Sequence, residues 1–480
     1  MYAYWYRLLS LIKSDSVDLY FLNYRAMTVA PAIAIFLALR AYSVPRIFSI
    51  ALSLWLLFSS ANFPTWPKVS HFALTLLLIG VALSGFFRSR AIKIATLVIA
   101  TLGASYARPE FFLSAAILGV AFVPFAWFQY RKEGLRSVLP SCLVVVLTCS
   151  LAIWHFGVPI GSGSRTLVAF GQHYSLNWVA WKKDKRNPWT NWEAIVRGDF
   201  GDVRSAGEAL RTNPGAFGHH LFANLVHTPT SIASTFVVAR DGSRLARAGK
   251  AVGLVLLALA IVSYGMRSHP KGVPNGSRMG ATLRSSWFEL LALAVLLVPS
   301  AISILVVYPR AHYLLVAGTL LAVSALIVLS RDSGERDLRS FEAALLVLGI
   351  ALLLVQPMPS SGGATSQTNL RCIEFLRSLN IKEKVTLLEA EGGYDIYVGS
   401  QYHRVAEYDK DKPWDLFMAE KGINMILLSE GLAKDTRFVQ DYEWRRFLDD
   451  PSKYGFGYLE IPNVKDRRII YKKNLMAQER

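Results

Sequence analysis

Cysteine is nearly absent: three residues in a chain of 480. Cys142 and Cys149 share one apolar run, seven residues apart, where they read as small core side chains, and Cys372 stands alone. A disulfide framework or a thiolate metal site cannot be built from these three. Acidic residues are also scarce, 34 against 52 Lys and Arg, for a net charge of +18. The start lacks the basic stretch and apolar core of a cleavable signal, since Met1–Lys13 is aromatic-rich and amphipathic. No inverted repeat and no unpaired carboxylate deep in an apolar run is visible, which argues against a transporter.

What the chain does have is apolar sequence in long pieces. Ala26–Leu39, Ile47–Leu57, Phe72–Phe87, Ile94–Ala104, Phe111–Phe128, Leu139–Trp154, Ala251–Met266, Trp287–Tyr308, Tyr313–Ser330 and Phe341–Gln356 each approach bilayer length. The expected fold class is a polytopic α-helical membrane protein of about ten transmembrane helices with a C-terminal soluble α/β domain. The expected domains are a multi-spanning region over 1–357, with an insert at about 157–249, and a soluble domain over 365–480. Lys and Arg orient it. The loops Arg40–Arg46, Arg88–Lys93, Arg131–Arg136, Arg267–Arg284 and Arg331–Arg339 each carry at least two. The alternate loops carry only Lys68, Arg108 and Arg310. The positive-inside rule then puts the insert, the tail and both termini on the outer face. Anchoring loops and the insert hold much of the +18, so no nucleic-acid partner is called for.

An outer N-terminus suits Met1–Lys13 as an interfacial helix, and such a helix normally follows an earlier span. The natural protein is therefore expected to begin earlier, with one more span and an outer loop.

Three outer turns each offer one cation: Tyr106-Ala107-Arg108-Pro109-Glu110, Tyr308-Pro309-Arg310-Ala311-His312-Tyr313, and Asn62 to His71 with Trp66 and Lys68. Together they suggest a pocket for an anionic headgroup. A belt of snorkelling anchors explains the same cations equally well. The insert adds Gln172-His173-Tyr174, Asn187-Pro188-Trp189, Asn213-Pro214 and the tryptophans 178, 181, 189 and 192, which suit sugar stacking or interface anchoring. His219-His220 point different ways on a helix and make a poor metal site. In the tail, helices are expected at 370–379, 414–421 and 437–448, and strands at 384–389, 404–408, 423–428, 456–461 and 468–471. Glu391-Gly392-Gly393-Tyr394 is a turn without phosphate-loop spacing.

In order and topology, the Arg108 turn, the insert motifs, the Tyr308–Leu314 segment and the tail segments Glu391–Asp395 and Ile423–Leu428 resemble the bacterial GT-C type membrane glycosyltransferases. These depend on polyprenol phosphate and are related to protein mannosyltransferases and the lipid A aminoarabinose transferase. The resemblance implies a multi-pass protein of the bacterial cytoplasmic membrane, with an extracytoplasmic tail. It implies transfer of a sugar from a polyprenyl-phosphate donor to an acceptor on the outer face. Membrane lipids and that donor are the expected partners; no resident cofactor is indicated, and a divalent metal is left open. Arg108, Arg310 and Lys68 would bind the donor phosphate, and His71, His173, Tyr308, His312 and Tyr313 would line the substrate. The family's catalytic carboxylate lies in a first outer loop that this sequence does not contain, which leaves Asp18 and Glu110 as candidate bases. A non-catalytic scaffold or lipid-glycan binding protein, and an O-antigen ligase-like protein, are the alternatives.

Overall fold

The computed structural model describes residues 1–480 except 65–67, 161–162, 190, 237–243, 268–274, 331–338, 355–363, 406–411, 436–437 and 476–480. The chain forms two compact units. One comprises residues 1–12 and 21–359, the other 13–20 and 360–480.

Among the described residues, the regular elements of the first unit are all helices. In order it contains α1 (Tyr2–Ser10), α2 (Ser16–Ala41, from Phe21), α3 (Arg46–Phe58), α4 (Val69–Gly85), α5 (Arg90–Ser105), α6 (Phe112–Glu133) and α7 (Leu135–Phe156). The insert supplies α8 (Gly163–Lys182), α9 (Trp192–Phe200), α10 (Ala206–Thr212) and α11 (Pro214–Phe236). Then follow α12 (Arg244–Arg267), α13 (Asn275–Val306), α14 (Ala311–Ser330) and α15 (Ser340–Leu354). Each of the ten apolar runs lies almost wholly in a helix; Phe86, Phe87, Phe111, Val307 and Tyr308 fall just outside, and the last run is described as far as Leu354.

Length separates these helices. Among the described residues five are long and apolar enough to cross a membrane: Ser16–Ala41, Pro109–Glu133, Leu135–Phe156, Ser286–Val306 and Ala311–Val328. Four shorter apolar helices fall below that length, of which Arg46–Phe58 has only 13 residues. At 1.5 Å per residue such a helix covers about 20 Å of a core about 30 Å thick. The ten expected spans are thus five full-length candidates and several shorter apolar helices.

The surface fits a lipid solvent. Val120, Val123, Phe128 and Trp154 are 76, 65, 77 and 83% exposed, and they belong to helices that are apolar on nearly every side. Water would oppose so much exposed apolar area, whereas acyl chains do not. Inside, Ile35, Leu74, Leu78, Leu315 and Val323 form part of one core. The helices meet through small residues and a few polar bonds. Ser114 Oγ donates to the Val295 carbonyl (2.7 Å), joining α6 to α13. Lys93 pairs with Glu289 at 3.0 Å, joining α5 to α13. Trp5, Tyr2 and Tyr6 of α1 all bond the amide of buried Asn23 on α2.

The second unit has a five-stranded sheet: β1 (Val385–Leu388), β2 (Tyr402–Arg404), β3 (Met425–Ser429), β4 (Phe456–Glu460) and β5 (Arg467–Lys472), in the order β2-β1-β3-β5-β4. β1 runs parallel to β2 and β3, and the β3–β5–β4 part is antiparallel. Strand alternation sends Leu387, Met425, Leu427 and Ile469 to one face, with Cys372 and Leu376 of the helix Ala364–Ser378. Leu388, Ile426 and Ile470 go to the other face, with Trp414, Phe417, Trp444 and Phe447 from the helices Trp414–Lys421 and Tyr442–Asp449. The second strand sits at 402–404, two residues before its expected start, and Glu407 and Tyr408 lie outside the described residues. Gly392 and Gly393 take φ of +85° and +99°, which accounts for the glycine pair in this turn. The segment 13–20 belongs to this unit too: Asp15 pairs with Arg377 at 2.7 Å, and Val17 packs against the core on the Leu387 face.

Gly80 on α4 faces Ala100 on α5, and a Cβ added there would collide with the Ala100 methyl. Gly103, on the same helix pair, would make only ordinary contact, 3.8 Å from Leu76. Gly80→Ala is expected to lower the thermal midpoint in detergent, by the roughly 1–3 kcal/mol of an overpacked core. Gly103→Ala is expected to leave it unchanged or raised, and equal midpoints for the two variants would refute the close approach.

Candidate functional site

Three helix connections of the first unit converge at one end. Arg108 follows α5, in an extended conformation (φ −134°, ψ 95°), and Pro109 opens the short turn into α6. Its Nη1 donates to Ser70 Oγ in the first turn of α4 (2.9 Å), and its Nε to Glu110 Oε1 (2.7 Å). The guanidinium carbon lies 4.8 Å from the centre of the Tyr313 ring, in the first turn of α14. One planar cation therefore joins α4, the α5–α6 turn and α14.

The insert builds the other half of the site. Its helices pack around Phe170, Tyr174, Ile195, Phe200 and Phe217. Gly171 makes room for Trp192, whose ring a Cβ would strike. From this base Asn177 Nδ2 donates to His220 Nδ1 (3.0 Å) and His220 Nε2 donates to the Val306 carbonyl (3.1 Å). Asn224 Nδ2 adds a bond to the Leu305 carbonyl (2.6 Å). These carbonyls belong to the last turn of α13, where the helix has no further N–H to offer. The segment Tyr308-Pro309-Arg310 leaves from that fixed end.

Here the two halves meet. His173 stacks on Tyr308 (centroids 5.6 Å apart) and takes Trp189 edge-on (5.6 Å), while Arg310 lies 5.4 Å over the Trp189 ring. His312 packs on Tyr313 at 4.2 Å and has Arg108, Arg310 and His173 as its electrostatic neighbours. His173 Nδ1 lies 2.6 Å from the Ala169 carbonyl and so must donate, which leaves Nε2 as an acceptor. That Nε2 is buried and has no partner. Burial holds His173 and His220 at about 4, so both are neutral near pH 7, and burial also pulls Arg310 downward.

The remaining candidates are placed differently. Lys68 is 1% exposed; it bonds the Asn62 carbonyl (2.6 Å) and Thr28 Oγ1 and lies 4.1 Å over the Tyr24 ring. Its ammonium serves the junction of α2 and the turn before α4, and burial pushes it down to about 7. His71, 3% exposed in the first turn of α4, keeps a buried Nε2 without a partner. Asp18 belongs to the second unit, half-exposed beside Lys13 at 3.3 Å. Trp66 lies outside the described residues. Of the other insert tryptophans, Trp181 stacks on His219 (3.9 Å), Trp178 lies beneath Arg186 (4.8 Å) and Trp192 fills the Gly171 notch, so Trp189 alone of the four touches Arg310. Sequence alone assigns no role to Asn177 or Asn224 and treats His220 only as a poor metal ligand; the signal available was a pair of Asn and a His on helical faces of the insert. Among the described residues no group of three or more His, Cys, Asp or Glu could hold a metal ion.

No protein-family model matches the chain, and no curated protein does.

His173 and His220 set an acid limit. In the unfolded chain they titrate near 6.5, in the folded protein near 4. Between these values the unfolded state binds protons that the folded state does not, so their contribution is complete above 6.5 and falls as pH drops toward 4. Thermal midpoints are expected to decline over that window, with a shallower slope in His220→Asn. A wild-type midpoint constant from pH 6.5 to 4 would contradict neutral burial.

Proposed function

We propose that the chain transfers a sugar from a polyprenyl-phosphate donor to an acceptor on the outer face of the bacterial cytoplasmic membrane. In this reading the shorter apolar helices complete a bundle of about ten spans, and the insert and tail are extracytoplasmic. The observation that carries it is the pairing of two guanidiniums, Arg108 and Arg310, with a neutral histidine and aromatic rings at one bundle end.

The chemistry needs both kinds of group. An acceptor oxygen attacks the anomeric carbon and loses its proton to a base, and the bond to the phosphate breaks with its electrons on the departing phosphate. Arg108 and Arg310 supply positive charge where that negative charge develops. The unpartnered His173 Nε2 accepts a hydrogen bond from a sugar hydroxyl, with Tyr308 and Trp189 offering ring faces to the sugar. Glu110 holds Arg108 in place through an ion pair and acts as a positioning residue. Lys68 has a similar supporting part.

A second reading, a non-catalytic lipid-glycan binding protein, draws on the carboxylates. Glu110 is committed to Arg108 and Asp18 to Lys13. The two separate in an assay with a radiolabelled polyprenyl-phosphate sugar and the full chain in lipid. Transfer that falls by about 10²–10³ in Arg108→Ala supports the transferase. Glu110→Gln should then keep kcat within about tenfold and raise the donor KM, whereas a general base would lose about 10²–10⁴ in rate. Donor retention without transfer would replace the transferase reading with the binding one.

A further inference from the structure

At the junction of α5, α6 and α13 a cavity of about 590 Å³ opens beside Arg88, Arg90, Gln129, Lys132, Phe128 and Trp287. It involves none of the residues of the Arg108 and Arg310 site. Its charges are unbalanced. Arg90 is spread over the Trp287 and Phe288 rings, at 5.1 and 5.6 Å. Arg88 and Lys132 have no carboxylate partner among the described residues. Glu133, the acidic member of the lining, is held by the Gln129 amide at 3.0 Å and by no cation among the described residues. Gln129 in turn takes the Ser89 hydroxyl at 2.5 Å, which fixes the wall between α5 and α6.

The cavity continues into apolar surface. Pro124, Phe125 and Phe128 of its lining belong to α6. From there Val120, Val123 and Trp127, spaced at three and four residues, form an exposed apolar strip along the same helix, 76, 65 and 55% exposed. A cationic mouth with ring faces, leading into an apolar strip on a helix that fits lipid, has the two halves of a phospholipid. A soluble anion would use the mouth and leave the strip unexplained.

We infer that this cavity binds the phosphodiester headgroup of an anionic glycerophospholipid, with its acyl chains along α6. Arg88, Arg90 and Lys132 neutralise the phosphate, and Trp287 and Phe128 flank the glycerol. The assignment stands whether or not the chain transfers sugar.

The test is thermal unfolding of the full chain in detergent, titrated with dioleoyl phosphatidylglycerol or dioleoyl phosphatidylcholine. Phosphatidylglycerol is expected to raise the midpoint and phosphatidylcholine not to. Arg88→Gln/Lys132→Gln removes two cations that pair with no carboxylate among the described residues, so the fold should survive. Its apparent phosphatidylglycerol affinity should fall about 25-fold, roughly fivefold per charge. Arg136→Gln, a neighbouring cation outside both the cavity and the strip, should leave that affinity nearly unchanged. A loss per charge equal to that of the double variant would make this a diffuse basic surface and overturn the site. Equal stabilisation by phosphatidylcholine, or by glycerol phosphate in solution, would overturn the anionic lipid.

Discussion

Arg108 sits where three helix ends must agree. A guanidinium carries five donors in a rigid plane, and each donor left unmet near the low-dielectric end of a bundle weakens the fold. The plane is met by Ser70 on one edge and Glu110 on another, with Tyr313 across its face. Moving α4, the Pro109 turn or α14 breaks at least one of these contacts. Because α14 begins directly after Arg310, the position of the second guanidinium follows from the first. Lys in place of Arg108 would offer a point charge to one partner at a time.

The insert reaches the same end by neutral chemistry. α13 ends at Val306 before Pro309, so its last carbonyls need donors from elsewhere. Asn224 and His220 provide them, and both side chains are fully buried. Buried amides and a neutral imidazole avoid the desolvation that ions would suffer, and they add no counter-charge beside Arg310. The insert is thus a strut for the Tyr308–Arg310 segment as well as a source of lining residues.

Much of the helical layout is legible in the amino-acid sequence alone. Apolar length predicts all ten helices, because a helix that satisfies its own backbone is the response to such sequence in lipid. Length in residues does not say which helices reach both faces, and α3 shows the gap. The turns of Arg108 and Arg310 stand out as isolated cations among apolar runs. Lys68 looks the same in sequence, yet its ammonium turns inward to Thr28 and Asn62, since spacing gives depth along a helix but not direction. His220 looks idle beside His219 because its partners, Asn177 and Val306, are distant in sequence. The same holds for Asp15 and Arg377, whose pairing brings residues 13–20 into the tail unit.

The division of polar groups at the site bears on what it prefers. Two guanidiniums alone would suit any phosphate, including those of the surrounding lipid. The insert adds something a phosphate has little use for: an imidazole whose proton is committed to Ala169, so that its free nitrogen only accepts. An acceptor beside two cations repels a bare anion's oxygens and selects a ligand that brings its own hydroxyl. Aromatic faces at Tyr308 and Trp189 favour the apolar face of a ring over a flexible chain. A phosphate bonded to a polyhydroxylated ring meets all three requirements. An ordinary phosphatidylcholine headgroup, with a cation and no hydroxyl, meets only one. On the proposed reading, the discrimination would lie in the insert, and the charge that draws such a ligand would lie in the helical turns.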